Sequence, residues 1–226
     1  MINREIITTK DGSKTLYINN LNESYHSQYG ALQEAEHVFI NNGFIKINNY
    51  QINILELGLG TGLNLLVTIN ELLKNDKNHI IHYFGIEKYP VNESEIEVLS
   101  YAKHFKNPEI ALLEKKIHAA AWNEMIEITP NFYLTKIKAD FFDIKNLELP
   151  PIDLVYFDCF GAKVQPDLWE KDLFEIVADK MRINGLLTTY SSKGSVRRCL
   201  QELNFEVQKL AGPPGKREML NAIKLS

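Results

Sequence analysis

Residues 52–64, Ile-Asn-Ile-Leu-Glu-Leu-Gly-Leu-Gly-Thr-Gly-Leu-Asn, constrain this chain more than any other stretch. The first half is a short β-branched run suited to a buried strand. The second half is a glycine-rich turn that runs directly into a helical pattern. Glycines at 58, 60 and 62 let the backbone turn sharply and bring bare N–H groups close to a ligand. The dinucleotide fingerprint G-x-G-x-x-G needs glycine or alanine at its sixth position, and that position here is Leu63. What stands instead is Glu-x-Gly-x-Gly-x-Gly, from Glu56 to Gly62. On this stretch alone, a glycine-rich turn from some other α/β protein stays open, because such turns recur across functions.

The chain is long enough for one sizeable domain, at 226 residues. Its 45% hydrophobic and 24% charged residues are ordinary for a soluble globular protein. No run approaches the roughly 18 apolar residues a membrane span needs. The start, Met1-Ile2-Asn3-Arg4-Glu5, lacks the apolar core of a signal peptide. Cys159 and Cys199 are too few for a disulfide framework, so a reducing, cytoplasmic setting is expected. The net charge of −4 is unevenly spread. From Lys180 to Ser226 nine Lys/Arg face three Asp/Glu, a local +6 that leaves −10 on the residues before it. Such a basic end reads as a solvated face or as a phosphate-binding patch, and composition does not separate the two.

Taken in order, residues 4–18 alternate around Asp11-Gly12, which predicts an N-terminal hairpin. Apolar residues at 31, 32, 35, 38 and 39 have helical spacing, ended by Asn41-Asn42-Gly43. Leu63 to Lys74 reads as a helix with Leu65, Leu66, Ile69, Leu72 and Leu73 as its buried stripe. Ile80 to Glu87 reads as a second strand. Residues 92–105 and 118–128, the latter around Trp122, read as helices. Phe132 to Ala139 is a third strand stopping at Asp140-Phe141, and Ile152 to Phe157 a fourth that delivers Asp158. A helix over 168–181, a fifth strand from Leu186 to Tyr190 after Asn184-Gly185, and a helix over 196–203 follow. Phe205–Leu210 and Met219–Leu225 flank the turn Gly212-Pro213-Pro214-Gly215 as a closing antiparallel pair. Strands alternating with helices imply a doubly wound parallel sheet.

The Glu56–Gly62 pattern resembles motif I of class I S-adenosylmethionine (SAM) methyltransferases, with Gly58, Gly60, Thr61, Gly62 and Asn64 around the methionine part of the cofactor. Ligands of open α/β sheets bind beyond the carboxyl ends of the strands, and four acids fall there: Glu56, Glu87, Asp140 and Asp158. Glu87, with Lys88 beside it, suits the ribose hydroxyls. Asp140 suits the adenine amino group, with Phe141 offering a backbone N–H and a ring face. Glu56 and Asp158 would lie near the sulfonium, where a carboxylate is favourable by Coulomb attraction. Each taken singly also reads as a solvated carboxylate at a strand end.

Five blocks then recur in order: Tyr25-His26-Ser27 with Gly30-Ala31 and Glu34–Phe39; Glu56–Asn64; Glu87-Lys88-Tyr89-Pro90; Tyr156-Phe157-Asp158 with Gln165-Pro166 and Leu168-Trp169; and Val196-Arg197-Arg198 with Lys216-Arg217-Glu218-Met219. Their order and wording resemble the methyltransferase half of the bifunctional tRNA wobble-uridine enzyme MnmC and its stand-alone form, MnmD, from about residue 20 to 222. The resemblance implies a Rossmann-like fold: a mostly parallel seven-stranded sheet with an antiparallel C-terminal strand. Residues 1–48 would be an N-terminal extension and 49–226 the methyltransferase domain. It implies methyl transfer from SAM to the primary amine of 5-aminomethyl-(2-thio)uridine at tRNA position 34. The partners implied are the tRNA anticodon stem-loop and other wobble-uridine modification enzymes, and no flavin reaction is expected of this chain.

One block departs from the family. Where it usually reads Asp-(Gly/Ala)-Phe-Ala-Pro, this chain reads Asp158-Cys159-Phe160-Gly161-Ala162, so the loop lacks a stiffening proline and substrate positioning is what this puts in doubt. Asp158 is the candidate to orient the amine and help draw off its proton; a free carboxylate has a pKa of about 3.9, so positioning would outweigh basicity. Tyr25, Ser27 and Tyr29 read as a cover for the methionine end, a grip on a flipped-out base, or a packed surface loop. Phe160 and Trp169 could stack on uracil, with core packing the simpler role for Trp169. Lys193, Arg197, Arg198, Lys216 and Arg217 are the phosphate-contact candidates, with Arg217 alternatively paired to Glu218. His79 and His82 point to opposite faces of a strand, so no metal site is expected. Two rivals remain: a same-fold transferase acting on a small amine, and a non-catalytic SAM-binding module.

Overall fold

The computed structural model describes residues 4–74 and 79–226. Strands β1 (Arg4–Thr8) and β2 (Lys14–Ile18) form the expected hairpin, and the two-residue β3 (Glu23–Ser24) pairs with β2 to make a small three-stranded sheet. Helix α1 (Ala31–Ala35) follows and widens into a π-helical turn over Glu36–Asn41. Next come β4 (Gln51–Leu57), α2 (Leu63–Lys74), β5 (Ile80–Ile86), α3 (Glu93–Leu99) and α4 (Glu109–Ala119). Strands β6 (Met125–Thr129), β7 (Phe132–Ile137) and β8 (Ile152–Phe157) lead to α5 (Lys171–Lys180). The chain closes with β9 (Met181–Thr189), α6 (Gly194–Glu202), β10 (Phe205–Ala211) and β11 (Glu218–Lys224).

The main sheet has eight strands in the order β10-β11-β9-β8-β4-β5-β7-β6. Strand β4 pairs parallel with both β5 and β8, and β7 and β9 extend the parallel run on either side. The chain winds outward to β5 and β7 on one side and to β8 and β9 on the other. The crevice between β4 and β8 is therefore the switch point. Strand β11 runs antiparallel to β9 and β10, as the closing pair predicts.

Both faces of β4 are covered, so it reads as a nearly continuous apolar run. Ile52 and Ile54 join one core with α1, α2 and α4, while Leu55 and Leu57 join the other with α5 and α6. Burying each of these side chains contributes about 1.5–3 kcal/mol. Helix α2 has the expected bounds and buries Leu65, Leu66, Ile69 and Leu72, although Leu73 is 38% exposed. Among the described residues, no helix is long and apolar enough to cross a membrane.

Five expectations are corrected. Residues 118–128 are not a helix: α4 ends at Ala119, Asn123 is left-handed at φ 64, and β6 pairs antiparallel with β7. Met125-Ile126-Glu127-Ile128-Thr129 has the period of a strand, with Ile128 turned inward at 2% exposure. The sheet consequently has eight strands, not seven. The helix expected over 92–105 stops at Leu99, because Ser100 takes a left-handed conformation (φ 46) and a 3₁₀ turn follows over Tyr101–His104. The helix expected from 168 starts at Lys171, after a 3₁₀ turn over Pro166–Trp169. The fifth strand starts at Met181, and Asn184-Gly185 lies inside it as an irregularity against β8 rather than before it as a turn.

Candidate active site

The turn after β4 is held against the strand ends on both sides. Gly58 and Leu59 donate backbone N–H to the Ile86 carbonyl at 3.1 and 3.0 Å, while Asp158 donates its own to the Leu57 carbonyl at 3.1 Å. Gly58 has φ 93, and a Cβ there would lie 2.5 Å from the Asp158 carbonyl oxygen. Only glycine allows the ends of β4 and β8 to approach so closely. At Gly60 the ring of Tyr25 is the neighbour, 3.1 Å from where a Cβ would stand.

Above these ends lies a cavity of about 370 Å³. Of the residues singled out from the sequence, Tyr25, Gly58, Gly60, Asn64, Glu87, Lys88, Asp140, Phe141, Asp158 and Phe160 line it. Glu87 ties the floor together: Oε2 accepts from the Gly60 N–H at 3.0 Å and Oε1 from the Tyr89 N–H at 2.7 Å. Asp140 accepts from Lys88 Nζ at 2.8 Å and from the Phe142 N–H at 3.0 Å. The Lys88 hydrogen bond is the leading cause that holds the Asp140 carboxyl below its usual range. From above, Tyr25 packs edge-on against Phe160 with ring centroids 5.0 Å apart. The Arg4 guanidinium sits 5.4 Å over the Tyr25 ring and donates to the Tyr89 carbonyl at 2.6 Å. The N-terminal sheet is thereby tied to the loop that follows Glu87.

Glu56 does not reach the cavity. It is fully buried beneath it, accepting from Tyr83 Oη at 2.7 Å and Asn64 Nδ2 at 2.8 Å. Burial pushes its carboxyl well above the usual range. The same Asn64 amide donates to Asp158 Oδ2 at 2.8 Å, so one side chain bridges the buried acid and the cavity acid. Asp158 is half-buried, and its pKa is raised to about 7. Burial is the largest cause and the charge of Glu34 adds to it, while the Asn64 hydrogen bond and the Lys216 charge oppose them. Thr61 is buried, accepting from Tyr101 Oη at 3.1 Å, and Gly62 faces His118; neither lines the cavity.

The model of one protein family, described as S-adenosyl-L-methionine-dependent methyltransferase, matches residues 108–225, just over half of the chain. The chain belongs to that family. This methyltransferase is 28% identical over 208 residues to the tRNA 5-methylaminomethyl-2-thiouridine biosynthesis bifunctional protein MnmC of Leptospira interrogans. The match covers 87% of this chain and 32% of that protein. The MnmC protein of Burkholderia mallei is 31% identical over 217 residues, again covering 87% of this chain and 32% of the other. The chain therefore spans about a third of the length of these curated relatives. Among solved structures, MNMC2 from Aquifex aeolicus superposes with a TM-score of 0.83 at 28% identity, covering 100% of this chain and 71% of that one. The cradle fits the family's cofactor: it is open because residues 58 and 60 lack side chains, and acids stand along it.

The loop that departs from the family pattern is tied at two carbonyls in the methyltransferase. Trp169 Nε1 donates to Phe160 O and Tyr190 Oη to Cys159 O, both at 2.7 Å. Trp169 is a core residue, 4% exposed and packed on Phe157 and Tyr190. The basic candidates lie outside the cavity. Lys193 and Arg198 are exposed beside the start of α6, with Arg197 half-buried. Arg217 is exposed in the β10–β11 turn, where its charge and that of Arg197 both act on Glu218, itself bonded to Lys209 at 2.9 Å. Tyr29 is 50% exposed, with Lys10 Nζ 4.2 Å over its ring and Gly215 against it. Lys216 differs from its neighbours: its ammonium is paired with Glu34 and lies 3.7 Å over the Tyr190 ring.

Glu34, Tyr190, His26 and Tyr89 are residues that sequence reasoning did not assign to the site. Tyr89 and His26 line the cavity, and burial pushes His26 down to about 4, so it is neutral at pH 7. A signal for Glu34 was present: an acid at 34 falls inside the apolar arc formed by 31, 35 and 38, and it is 8% exposed. Buried acids are kept only when paired, so that position asks for a cation.

Proposed function

We propose that this SAM-dependent methyltransferase acts on the primary amine of 5-aminomethyl-(2-thio)uridine at wobble position 34 of tRNA, giving the 5-methylaminomethyl base. The observation that carries this reading is Asp158, a half-buried carboxylate just past the end of β8 that lines the cavity and is held by Asn64 at 2.8 Å; burial raises its pKa to about 7, which suits it to accept a proton from an amine. The similarity to MnmC proteins supports the choice of amine. The tRNA anticodon stem-loop would be the partner and the cytoplasm the setting. Residues 1–48 would serve as an extension that covers the site of a methyltransferase domain at 49–226.

In this reading Gly58, Gly60 and Asn64 hold the methionine part of SAM, Glu87 the ribose, and Asp140 with Phe141 the adenine. Lys88 keeps Asp140 ionised through their 2.8 Å hydrogen bond. Tyr25 covers the cradle, Thr61 and Gly62 shape the turn into α2, and Glu56 orients Asn64 from below. When bound, SAM supplies an electrophilic methyl group on a sulfonium. Asp158 orients the substrate amine and takes its proton; Phe160 and Tyr29 face the base. Lys193, Arg197, Arg198 and Arg217 bind phosphates.

The experiment is nucleoside analysis of tRNA carrying the 5-aminomethyl base after incubation with pure protein and methyl-labelled SAM. Label in the 5-methylaminomethyl nucleoside is the expected result. Label on free polyamines with none on tRNA would replace this reading by a small-amine transferase.

A further inference from the structure

We infer that Glu34 and Lys216 form a charge pair that acts through Asp158, setting how readily that carboxylate takes the proton of the substrate amine. The inference deepens the amine-methylating reading above and rests on it. Both are positioning residues that act through Asp158 without touching the amine.

The geometry runs through three contacts. Tyr190, just past the end of β9, donates its hydroxyl to the carbonyl of Cys159, the residue after Asp158, at 2.7 Å. Lys216 Nζ lies 3.7 Å over the face of that ring, a cation–π contact made with the lysine side chain still 32% exposed. Glu34 then pairs with Lys216 through Oε1 and accepts the Ser27 N–H through Oε2 at 2.9 Å. Glu34 comes from α1 and Lys216 from the β10–β11 turn, 182 residues apart in sequence. Such a pair, with Glu34 10% exposed at its side chain, is costly to desolvate and contributes little net stability. Its link through Tyr190 to the residue after the cavity carboxylate gives it another use.

Groups from several elements face Asp158. Asn64 from α2 donates to it, and Glu56 and Tyr83 stand behind Asn64 on β4 and β5. Tyr190, Cys159, Glu34 and Lys216 stand near it as well, and Glu87, just past the end of β5, lines the same cavity. Burial keeps Tyr83, Tyr190 and Cys159 neutral near pH 7 and favours the neutral form of Glu56. Lys216 and Glu34 thus supply the opposed charges that act on Asp158, the former lowering and the latter raising its pKa. The step they govern is one proton transfer. An incoming R–CH₂–NH₃⁺ gives a proton to the Asp158 carboxylate, leaving a neutral amine with its lone pair free and a neutral carboxylic acid. A stronger base at 158 favours that transfer; a weaker one leaves the amine protonated and unreactive.

The test uses the full chain and two readouts: the ¹³C shift of the Asp158 carboxyl against pH in free protein, assigned by its loss in D158N, and the acid limb of kcat/KM for tRNA methylation. In E34Q the Lys216 charge is unopposed, so both midpoints should fall by about one pH unit, and the weaker base should lower the kcat/KM plateau above the midpoint by up to about tenfold. In E34Q/K216M the pair is replaced by neutral groups, and both midpoints should return at least half-way to wild type. Mere structural damage would not be reversed by the second change. Midpoints that stay fixed or rise in E34Q, or fail to return in the double variant, overturn the inference. If wild type leaves the tRNA unmethylated while the carboxyl titration moves as stated, the substrate assignment fails and the charge coupling stands.

Discussion

Asn64 gives one amide hydrogen bond to Glu56 and one to Asp158, both at 2.8 Å, and its own oxygen is buried with no partner among the described residues. Two acids and an amide packed this way favour a protonated carboxyl. The folded-state pKa of Asp158, about 7 against an ordinary 3.8, lies above the unfolded value. Between those two values the folded state holds the proton more tightly, so the contribution of Asp158 to stability is largest at low pH and is lost as pH rises towards 7. Asp158→Asn removes the charge that is poorly tolerated and keeps an acceptor for Asn64. The variant should be more stable than wild type by roughly 1–2 kcal/mol at pH 8, a value discounted for solvent at a half-buried group, with little difference near pH 4. It should also lose methyl transfer by at least about a hundredfold, since the amine would have no proton acceptor. Denaturant melts at the two pH values and single-turnover assays check both. A variant no more stable than wild type at pH 8 would count against the raised pKa, and full turnover would remove Asp158 from the mechanism.

At the scale of elements, the start of α6 and the β10–β11 turn carry the exposed basic residues, with Arg197 and Arg217 both near Glu218. Removing one phosphate-binding cation should reduce the slope of log affinity against log salt by about 0.7–0.9. Arg198→Ala and Arg217→Ala are therefore expected to flatten the salt dependence of tRNA binding. Lys216→Met, whose ammonium is already on Glu34, should leave the slope unchanged. Filter binding across a salt series reads this directly, and salt-insensitive wild-type binding would contradict it. The parallel strands and α2 were legible in the sequence because their apolar runs are buried on both faces and end at glycine or an acid. Strand β6 was not, since Trp122 and Ile126 also suit helical spacing, while the break comes from an extended Ala120 and a left-handed Asn123. At the site, the strand-end acids could be read one by one. The turn of Lys216 inward could not, because its partner lies 182 residues away and no local pattern records such a pairing.

Across the whole molecule, the two ends of the chain meet over the carboxyl ends of the central strands. The N-terminal sheet brings Arg4 and Tyr25, α1 brings Glu34, and the C-terminal turn brings Lys216. The acidic body and the basic C-terminal stretch, +6 against a whole-chain −4, then give one molecule a carboxylate-lined cavity and a cationic flank for a polyanion. All of this depends on a glycine cradle that receives SAM between β4 and β8. Isothermal titration calorimetry of SAM into the pure protein tests that most directly. The account predicts one site per chain, retained in Asp158→Asn and abolished in Gly58→Val, whose side chain would collide with the Asp158 carbonyl. No heat of binding to wild type, or undiminished binding to a folded Gly58→Val, would contradict it.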